Sequence, residues 1–314
     1  MIFIFSYYFL ILFLEMKLIN TFIYTILKFS PKRIVKIFSK RYVAGFSFKE
    51  TLDICKNLNN EGFALTLDML GEHTKTKQES DFITNQYKKL LITINEERIN
   101  ANISIKPSHI GHDLSLDFFE KNLLILIKKA QEFSNFIRID MESSQLTDDT
   151  IYIYKKLSKE YPNFGIVLQS YLFRTYDDIK SLDKSNLNFR LCKGIYRESA
   201  DIAYQNKQKI NESYLAILDY AISNQIYVGI ATHDEALLKE SYKIIKKHSA
   251  DRKNFEFQGL YGVPLQKWYK KHFENDYKVR IYVPFGINWY EYSLRRIKEN
   301  PSIAKYVIKN LFKR

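Results

Sequence analysis

The sequence predicts an α/β fold, a (β/α)8 TIM barrel, and three observations lead there. After residue 45, short β-branched or aromatic runs alternate with longer segments of helical periodicity. Eight such runs fall within roughly 250 residues, the usual size of this barrel. Nearly every run ends in a side chain capable of chemistry, and a barrel brings the C-terminal ends of its strands to one face.

The predicted strands are FALTLDML (63–70), NISIKP (102–107), NFIRIDME (135–142) and FGIVLQSY (164–171), followed by NFRLCKG (188–194), YVGIAT (227–232), FEFQGLYG (255–262) and VRIYVPFG (279–286). Amphipathic stretches such as 116–133 and 202–224 lie between them and are long enough for the crossovers that parallel strands require. A doubly wound open sheet is the competing architecture, but its usual G-x-G-x-x-G turn is missing. The polar strand ends are Asp68, Lys106, Asp140, Gln169, Arg190 with Lys193, Thr232 with His233, Gln258 and Tyr282. Any one of them could be a helix cap or a loop residue. Taken together they suggest one polar mouth, in which buried ions such as Lys106, Asp140 and Arg190 need partners.

Before the barrel, residues 1–15 form an apolar run shorter than the roughly 20 residues that cross a bilayer. The run lacks the basic n-region and small-residue cleavage site of a signal peptide, so it reads as an upstream start or a membrane-touching extension. Residues 16–45 read as an amphipathic helical region whose interleaved apolar and basic residues suit an anionic membrane surface and equally suit an ordinary packed amphipathic helix. Residues 46–314 are then the barrel.

The net charge of +13 admits nucleic acid as a partner class. The lysines, however, alternate with apolar positions in segments such as YKKLL and YIYKKLSKEY, which makes them solvated helix faces. No zinc-finger spacing or aromatic-basic RNA motif appears, so no nucleic-acid partner is expected. The two cysteines, Cys55 and Cys192, show no metal or CxxC spacing, which suits a reducing, cytoplasmic setting. HExxH, a serine elbow and a Walker loop are absent, and the six histidines are not grouped as ligands, so no metal is expected. A cation-rich pocket without these devices needs an organic cofactor for difficult chemistry.

Read together, SIKPSHIG, IRIDME, VLQSYLFRT, FRLCKGIYRES, GIATHDEA, FEFQGLYGV and the closing RIYVPFG…WYEYSLRRIKEN resemble the FAD-dependent proline dehydrogenase family, in particular its short monofunctional bacterial members. The similarity runs from RYVAG at 41–45 nearly to the C-terminus. It implies a distorted barrel with FAD bound non-covalently at the C-terminal face and a last helix covering the mouth. Arg295 and Arg296 on that helix would grip the carboxylate of L-proline, for which a guanidinium fork is well matched. Lys106 would add a third positive group, with Asp140 as its ionic partner and Glu299 pairing one of the arginines.

By the same resemblance Asp140 and Arg190 would be catalytic, Arg190 also approaching the reactive N5 edge of the flavin. Met141 and Gln169 would contact the ring, and Lys193, Gly194 and Ile195 would run beneath it. Thr232 and His233 would hold the ribityl and phosphate portion, while Tyr196, Leu260, Tyr282 and Tyr292 would wall the substrate ring. Ile195 departs from the family's usual alanine, and Asp234 from its usual asparagine.

The implied reaction is oxidation of L-proline to (S)-1-pyrroline-5-carboxylate, the first step of proline degradation to glutamate, with a membrane quinone reoxidising the flavin. The chain shows no aldehyde dehydrogenase half, so pyrroline-5-carboxylate dehydrogenase would be a separate protein. Hydroxyproline dehydrogenase or another flavin barrel is the nearest rival, although Tyr282 should crowd a 4-hydroxyl. An inactive basic membrane- or nucleic-acid-binding barrel is the rival outside the enzymes.

Overall fold

The computed structural model describes residues 32–299, with the side chains of residues 34, 37, 38 and 295–299 outside that description. Eight parallel strands close into a barrel in sequence order. They are β1 (Ala64–Met69), β2 (Ala101–Ile105), β3 (Ile137–Ile139), β4 (Phe164–Gln169), β5 (Asn188–Cys192), β6 (Tyr227–Ala231), β7 (Phe255–Leu260) and β8 (Val279–Phe285). Closure is made by β8 pairing β1, from Ala64 opposite Arg280 to Met69 opposite Phe285. The helices that follow or precede the strands are α1 (Lys32–Ser39), α2 (Phe48–Asn60), α3 (Lys77–Glu96), α4 (Leu116–Glu132) and α5 (Thr147–Leu157). The later ones are α6 (Thr175–Ser181), α7 (Lys207–Ser223), α8 (Glu235–Lys247), α9 (Gln266–Glu274) and α10 (Trp289–Glu299).

The period-two pattern of the strands divides two interiors. One alternate set is apolar and fully buried: Leu65 and Leu67, Ile103 and Ile105, Ile137 and Ile139, Phe189 and Leu191, Val228 and Ile230. It joins Tyr87, Phe119, Leu123 and Tyr214 of the helices in one continuous core. The other set is polar and buried as well, including Thr66, Asp68, Ser104, Arg138, Glu256, Gln258 and Arg280. Branched apolar side chains usually fill such a barrel; here ion pairs and amides do so.

Local signals start the helices where the sequence offers them. Ser47 and Thr76 accept the N–H groups of Glu50 and Glu79 at 3.3 and 3.2 Å, and those glutamates reach back to the N–H groups of Phe46 and Lys75. Each such cap contributes about 1 kcal/mol. The segment expected as a helix over 202–224 starts later, at Lys207. Asn206 caps the N–H groups of Gln208 and Lys209, while Tyr204 N–H pairs with Tyr171 O and holds the preceding residues in a loop. All eight expected strands are present but shorter at their C-terminal ends. The run expected over 135–142 pairs only over Ile137–Ile139, because the chain turns at Ser144–Leu146 into α5.

Residues 1–31 and 300–314 lie outside the described residues, and with them the apolar extension and most of the amphipathic region. Of that region, α1 packs on α10, burying Val35 and Ser39. The Lys36 ammonium lies 4.0 Å from the centre of the Phe46 ring, which meets Trp289 edge-on at 5.2 Å. Among the described residues no helix is long and apolar enough to cross a membrane.

Candidate active site

The polar strand ends do meet, except that Gln258 lies beneath the mouth and off its wall. A cavity of ≈ 1210 Å³ opens at the C-terminal face of the barrel, and Asp68, Lys106, Asp140, Gln169, Arg190 and Tyr282 all line it. Lys106 donates to Asp68 Oδ1 at 2.7 Å. Asp140 accepts from Ser104 Oγ at 2.5 Å, Arg190 Nη1 at 2.7 Å and Tyr282 Oη at 2.7 Å. The Arg190 guanidinium also lies over the Tyr282 ring, 4.9 Å from its centre. Two cations and two carboxylates thus occupy one buried cluster.

Sequence proximity could not decide this pairing, and one expectation needs correction. The hydrogen-bonded ion-pair partner of Lys106 is Asp68, whereas Asp140 is taken by Arg190. The registers alone do not make the choice: Asp68 lies beside Ser104, one pleat below Lys106, while Ile105 opposite Ile139 and Val167 opposite Arg190 set Asp140 level with both Lys106 and Arg190, and the hydrogen bonds from Arg190, Ser104 and Tyr282 take it. Burial alone would lower the Lys106 ammonium, but Asp68 and Asp140 hold it well above its usual value. Burial alone would likewise raise Asp140; Arg190, Lys106 and the two hydroxyl donors outweigh it and keep the carboxyl below the usual range. Asp68 ends above its usual value, since burial and the second carboxylate outweigh Lys106.

Behind Lys106 sits His109, 2% exposed, with Nδ1 at 3.3 Å from the Tyr87 hydroxyl. Its ring lies against the backbone of Gly71, where a Cβ would come within 2.1 Å of Nε2. Burial and Lys106 depress His109 to about 3, and burial with Lys271 depresses His272 to about 4. Both imidazoles are therefore buried neutral. Below pH ~6.5 the unfolded chain takes up protons that the folded chain refuses, so stability falls with acidification towards the folded values. Urea melts between pH 7 and 4.5 should show each histidine contributing a slope of about 1.4 kcal/mol per pH unit, and His109→Gln should remove one such share.

The remaining expected residues sit around the same cavity. Met141, Lys193, Gly194, Ile195, Tyr196, Thr232, His233, Leu260 and Tyr292 all line it. Gly194 has φ +109°, and a Cβ there would lie 2.3 Å from the Tyr171 ring, so glycine is required both for conformation and for close approach. Asp234 caps α8 and pairs with Lys193 at 2.7 Å and Lys207 at 3.3 Å, so its carboxyl is held low against burial by the two lysines. His233 Nε2 accepts the Leu260 N–H at 3.0 Å. Arg295 and Arg296 fall on α10, three and four residues after Tyr292, and their side chains, with that of Glu299, lie outside the described residues.

Tyr290, which the sequence offers as an alternative to Tyr292, lines the cavity as well, and residues beyond those expected join the walls: Glu72, Arg197 and Glu291, and Lys32 from α1. Beneath them, Glu256 accepts from Arg280 at 2.6 Å and Gln258 at 2.8 Å, while Arg138 donates to Asn188 O at 2.8 Å. The signal for this lower layer was present in the strands, as polar residues spaced two apart: Arg138 with Asp140, Glu256 with Gln258, and Arg280 with Tyr282. Among the described residues no group of histidine, cysteine and carboxylate side chains could hold a metal ion.

A family model described as proline dehydrogenase matches residues 51–309. The chain belongs to the proline dehydrogenase family. Within it, proline dehydrogenase 1 of Bacillus subtilis (strain 168) is 31% identical over 290 residues, covering 92% of this chain and 96% of its own length. Proline dehydrogenase of Deinococcus radiodurans is 32% identical over 280 residues, covering 88% and 90%. The barrel is also that of proline utilization A from Bdellovibrio bacteriovorus, crystallised after inactivation by N-propargylglycine, with a TM-score of 0.77 at 24% identity. That likeness covers 84% of this chain and 32% of the longer one. The chain spans nearly the whole length of these Bacillus and Deinococcus members of the proline dehydrogenase family.

Proposed function

We propose that this protein oxidises L-proline to (S)-1-pyrroline-5-carboxylate using FAD, passing the electrons to a membrane quinone, with pyrroline-5-carboxylate dehydrogenase as a separate next enzyme. One observation carries the cofactor reading. Among the described residues Arg190 Nη2 and Gln169 Oε1 are buried without a partner, and both residues belong to the cavity wall. A buried unpaired donor and acceptor are each costly, so they suit a planar ligand that both accepts and donates hydrogen bonds.

The cavity also has room for more than an amino acid. At ≈ 1210 Å³ it exceeds what L-proline could fill, which leaves space for a dinucleotide beside it. The other fitting features are the bare backbone at Gly194, the Lys193 ammonium, and Thr232 and His233 beside the N-terminus of α8. When bound, FAD supplies the two-electron acceptor. Arg190 and Gln169 would hold its ring, with Met141, Lys193, Gly194 and Ile195 against it and Thr232 and His233 towards its phosphates.

Substrate placement would fall to other residues of the same cavity. Lys106, Arg295 and Arg296 would hold the proline carboxylate, the two arginines through paired, charge-assisted hydrogen bonds. Tyr196, Tyr282, Tyr292 and Leu260 would enclose the ring and keep water out. Asp140 anchors Arg190 and the Tyr282 hydroxyl at once, so a single carboxylate fixes both sides of the site. Fixing the carboxylate at one end aims the ring carbon at the acceptor, and orientation of that kind can lower a barrier by several kcal/mol (about 7–11 at the limit).

The test is optical. Protein purified with FAD should be yellow, and under anaerobic conditions L-proline should bleach its flavin band. A protein that takes up no FAD, or whose flavin is not bleached by L-proline, overturns the reading.

A further inference from the structure

We propose that Gln258 is a positioning residue for Arg190: it sets the plane of the guanidinium from below, is itself aimed by Glu256 and Arg280, and is admitted by Gly229. The proposal deepens the flavin reading above and rests on it. Gln258 is not on the cavity wall, so it can act on a bound ligand only through another residue.

Arg190 is held along two edges. Its Nε donates to Gln258 Oε1 at 2.7 Å and its Nη1 to Asp140 Oδ1 at 2.7 Å. The remaining nitrogen, Nη2, is buried and has no partner among the described residues. A planar guanidinium held at two edges has no freedom left to turn, so the direction of Nη2 is determined by Gln258 and Asp140 together. Removing the lower contact would leave the Asp140 hinge and the face of the Tyr282 ring, and neither holds the Nε edge.

A glutamine amide can present either its oxygen or its nitrogen, and its neighbours decide which. Gln258 Nε2 donates to Glu256 Oε1 at 2.8 Å. Turned over, the amide would set its nitrogen against a guanidinium donor and its oxygen against a carboxylate. Glu256 stays an acceptor because Arg280 donates to it at 2.6 Å and Lys278 lies at 3.3 Å; Arg280 and these contacts outweigh burial and keep its carboxyl near 2. The ladder therefore runs from Arg280 through Glu256 and Gln258 to Arg190.

Gly229 makes the meeting possible. β6 lies between β5 and β7, and Gly229 is in register with both Arg190 and Glu256. A Cβ at 229 would come within 2.4 Å of Gln258 Nε2 and 2.9 Å of its Cδ. No positive φ is needed there; the constraint is space. Any side chain at 229 would stand between the arginine of β5 and the amide of β7.

The experiment compares FAD-loaded wild type with Gln258→Met, which removes the amide at similar length, and Gly229→Ala, which deletes no polar group but displaces the amide. The readout is the midpoint potential of the bound flavin, measured by anaerobic dye-coupled titration. A cation fixed against the flavin favours its anionic reduced form, so both variants should lower the potential. We expect about a tenfold loss of preference for reduced flavin, or about 30 mV for a two-electron couple. A purely structural role would lower the melting temperature and leave the potential unchanged. Wild-type potential in either loaded variant overturns the proposal, as does failure of both variants to fold, which would make the residues structural. Failure of the wild type to bind FAD overturns instead the reading on which it rests.

Discussion

Arg190→Met is expected to slow anaerobic flavin bleaching by L-proline by at least about 100-fold, the effect of removing one preorganised electrostatic donor from a reaction centre. The side chain is 7% exposed and engages Asp140, Gln258 and the Tyr282 ring at once. Its loss would leave the Asp140 carboxylate buried with only Ser104 and Tyr282 as donors, and breaking such a pair costs about 3–5 kcal/mol. Arg190→Lys separates the two effects. An ammonium can still reach Asp140 and restore much of the stability, but it cannot span Asp140 and Gln258 while presenting a third donor. The lysine variant should therefore be nearly as stable as wild type and nearly as slow as the methionine variant. Equal rates in all three proteins would remove Arg190 from the chemistry.

Lys106→Met should show its largest effect in stability, and the effect should depend on pH. Its ammonium is shared by Asp68, at 2.7 Å, and the nearby Asp140, which both raise it. Without it two buried carboxylates face each other, and about 3–5 kcal/mol should be lost at pH 7. Asp68 already lies above its ordinary value through burial and the second carboxylate. A carboxyl raised on folding contributes stability that is complete below its unfolded value and disappears as pH rises through its folded value. In the variant Asp68 should rise further, so the deficit should shrink on going from pH 7 to pH 5. Paired urea melts of wild type and variant at the two pH values measure this directly. The same loss at both values would mean that the ammonium does not neutralise Asp68. The same variant should weaken L-proline binding about tenfold, or about 1.4 kcal/mol, if Lys106 also meets the substrate carboxylate.

These two side chains illustrate how far the sequence could be read. Lys106 closes the apolar run of β2, and an ion at that position in a barrel strand belongs at the C-terminal mouth; Arg190 stands in the middle of β5, where an inward-facing ion likewise needs partners inside the barrel. Both line the cavity. The choice of partner was not legible. Asp68 and Asp140 both flank Lys106 as strand-end carboxylates, and only the side-chain packing inside the barrel sets Asp68 at 2.7 Å from it and gives Asp140 to Arg190. The strand ends were overextended for a similar reason: in NFIRIDME the apolar alternation continues past Ile139, but the ladder stops where the chain turns to build the site.

What the sequence determined by itself was periodic and local: eight alternating strands, capped amphipathic helices between them, and a set of polar residues at strand ends, with motifs that carry the family. Those follow from side-chain period and from hydrogen bonds between residues three or four apart. Only the tertiary structure decided that Gly229 leaves room for Gln258, that Gln258 faces Arg190 across an intervening strand, and that α1 lies on α10. These are contacts between residues far apart in the chain, and they depend on barrel closure and strand stagger. The physical reason is that the energy of a buried charge is set by its nearest neighbours in space, within about 4 Å, and sequence spacing does not determine them.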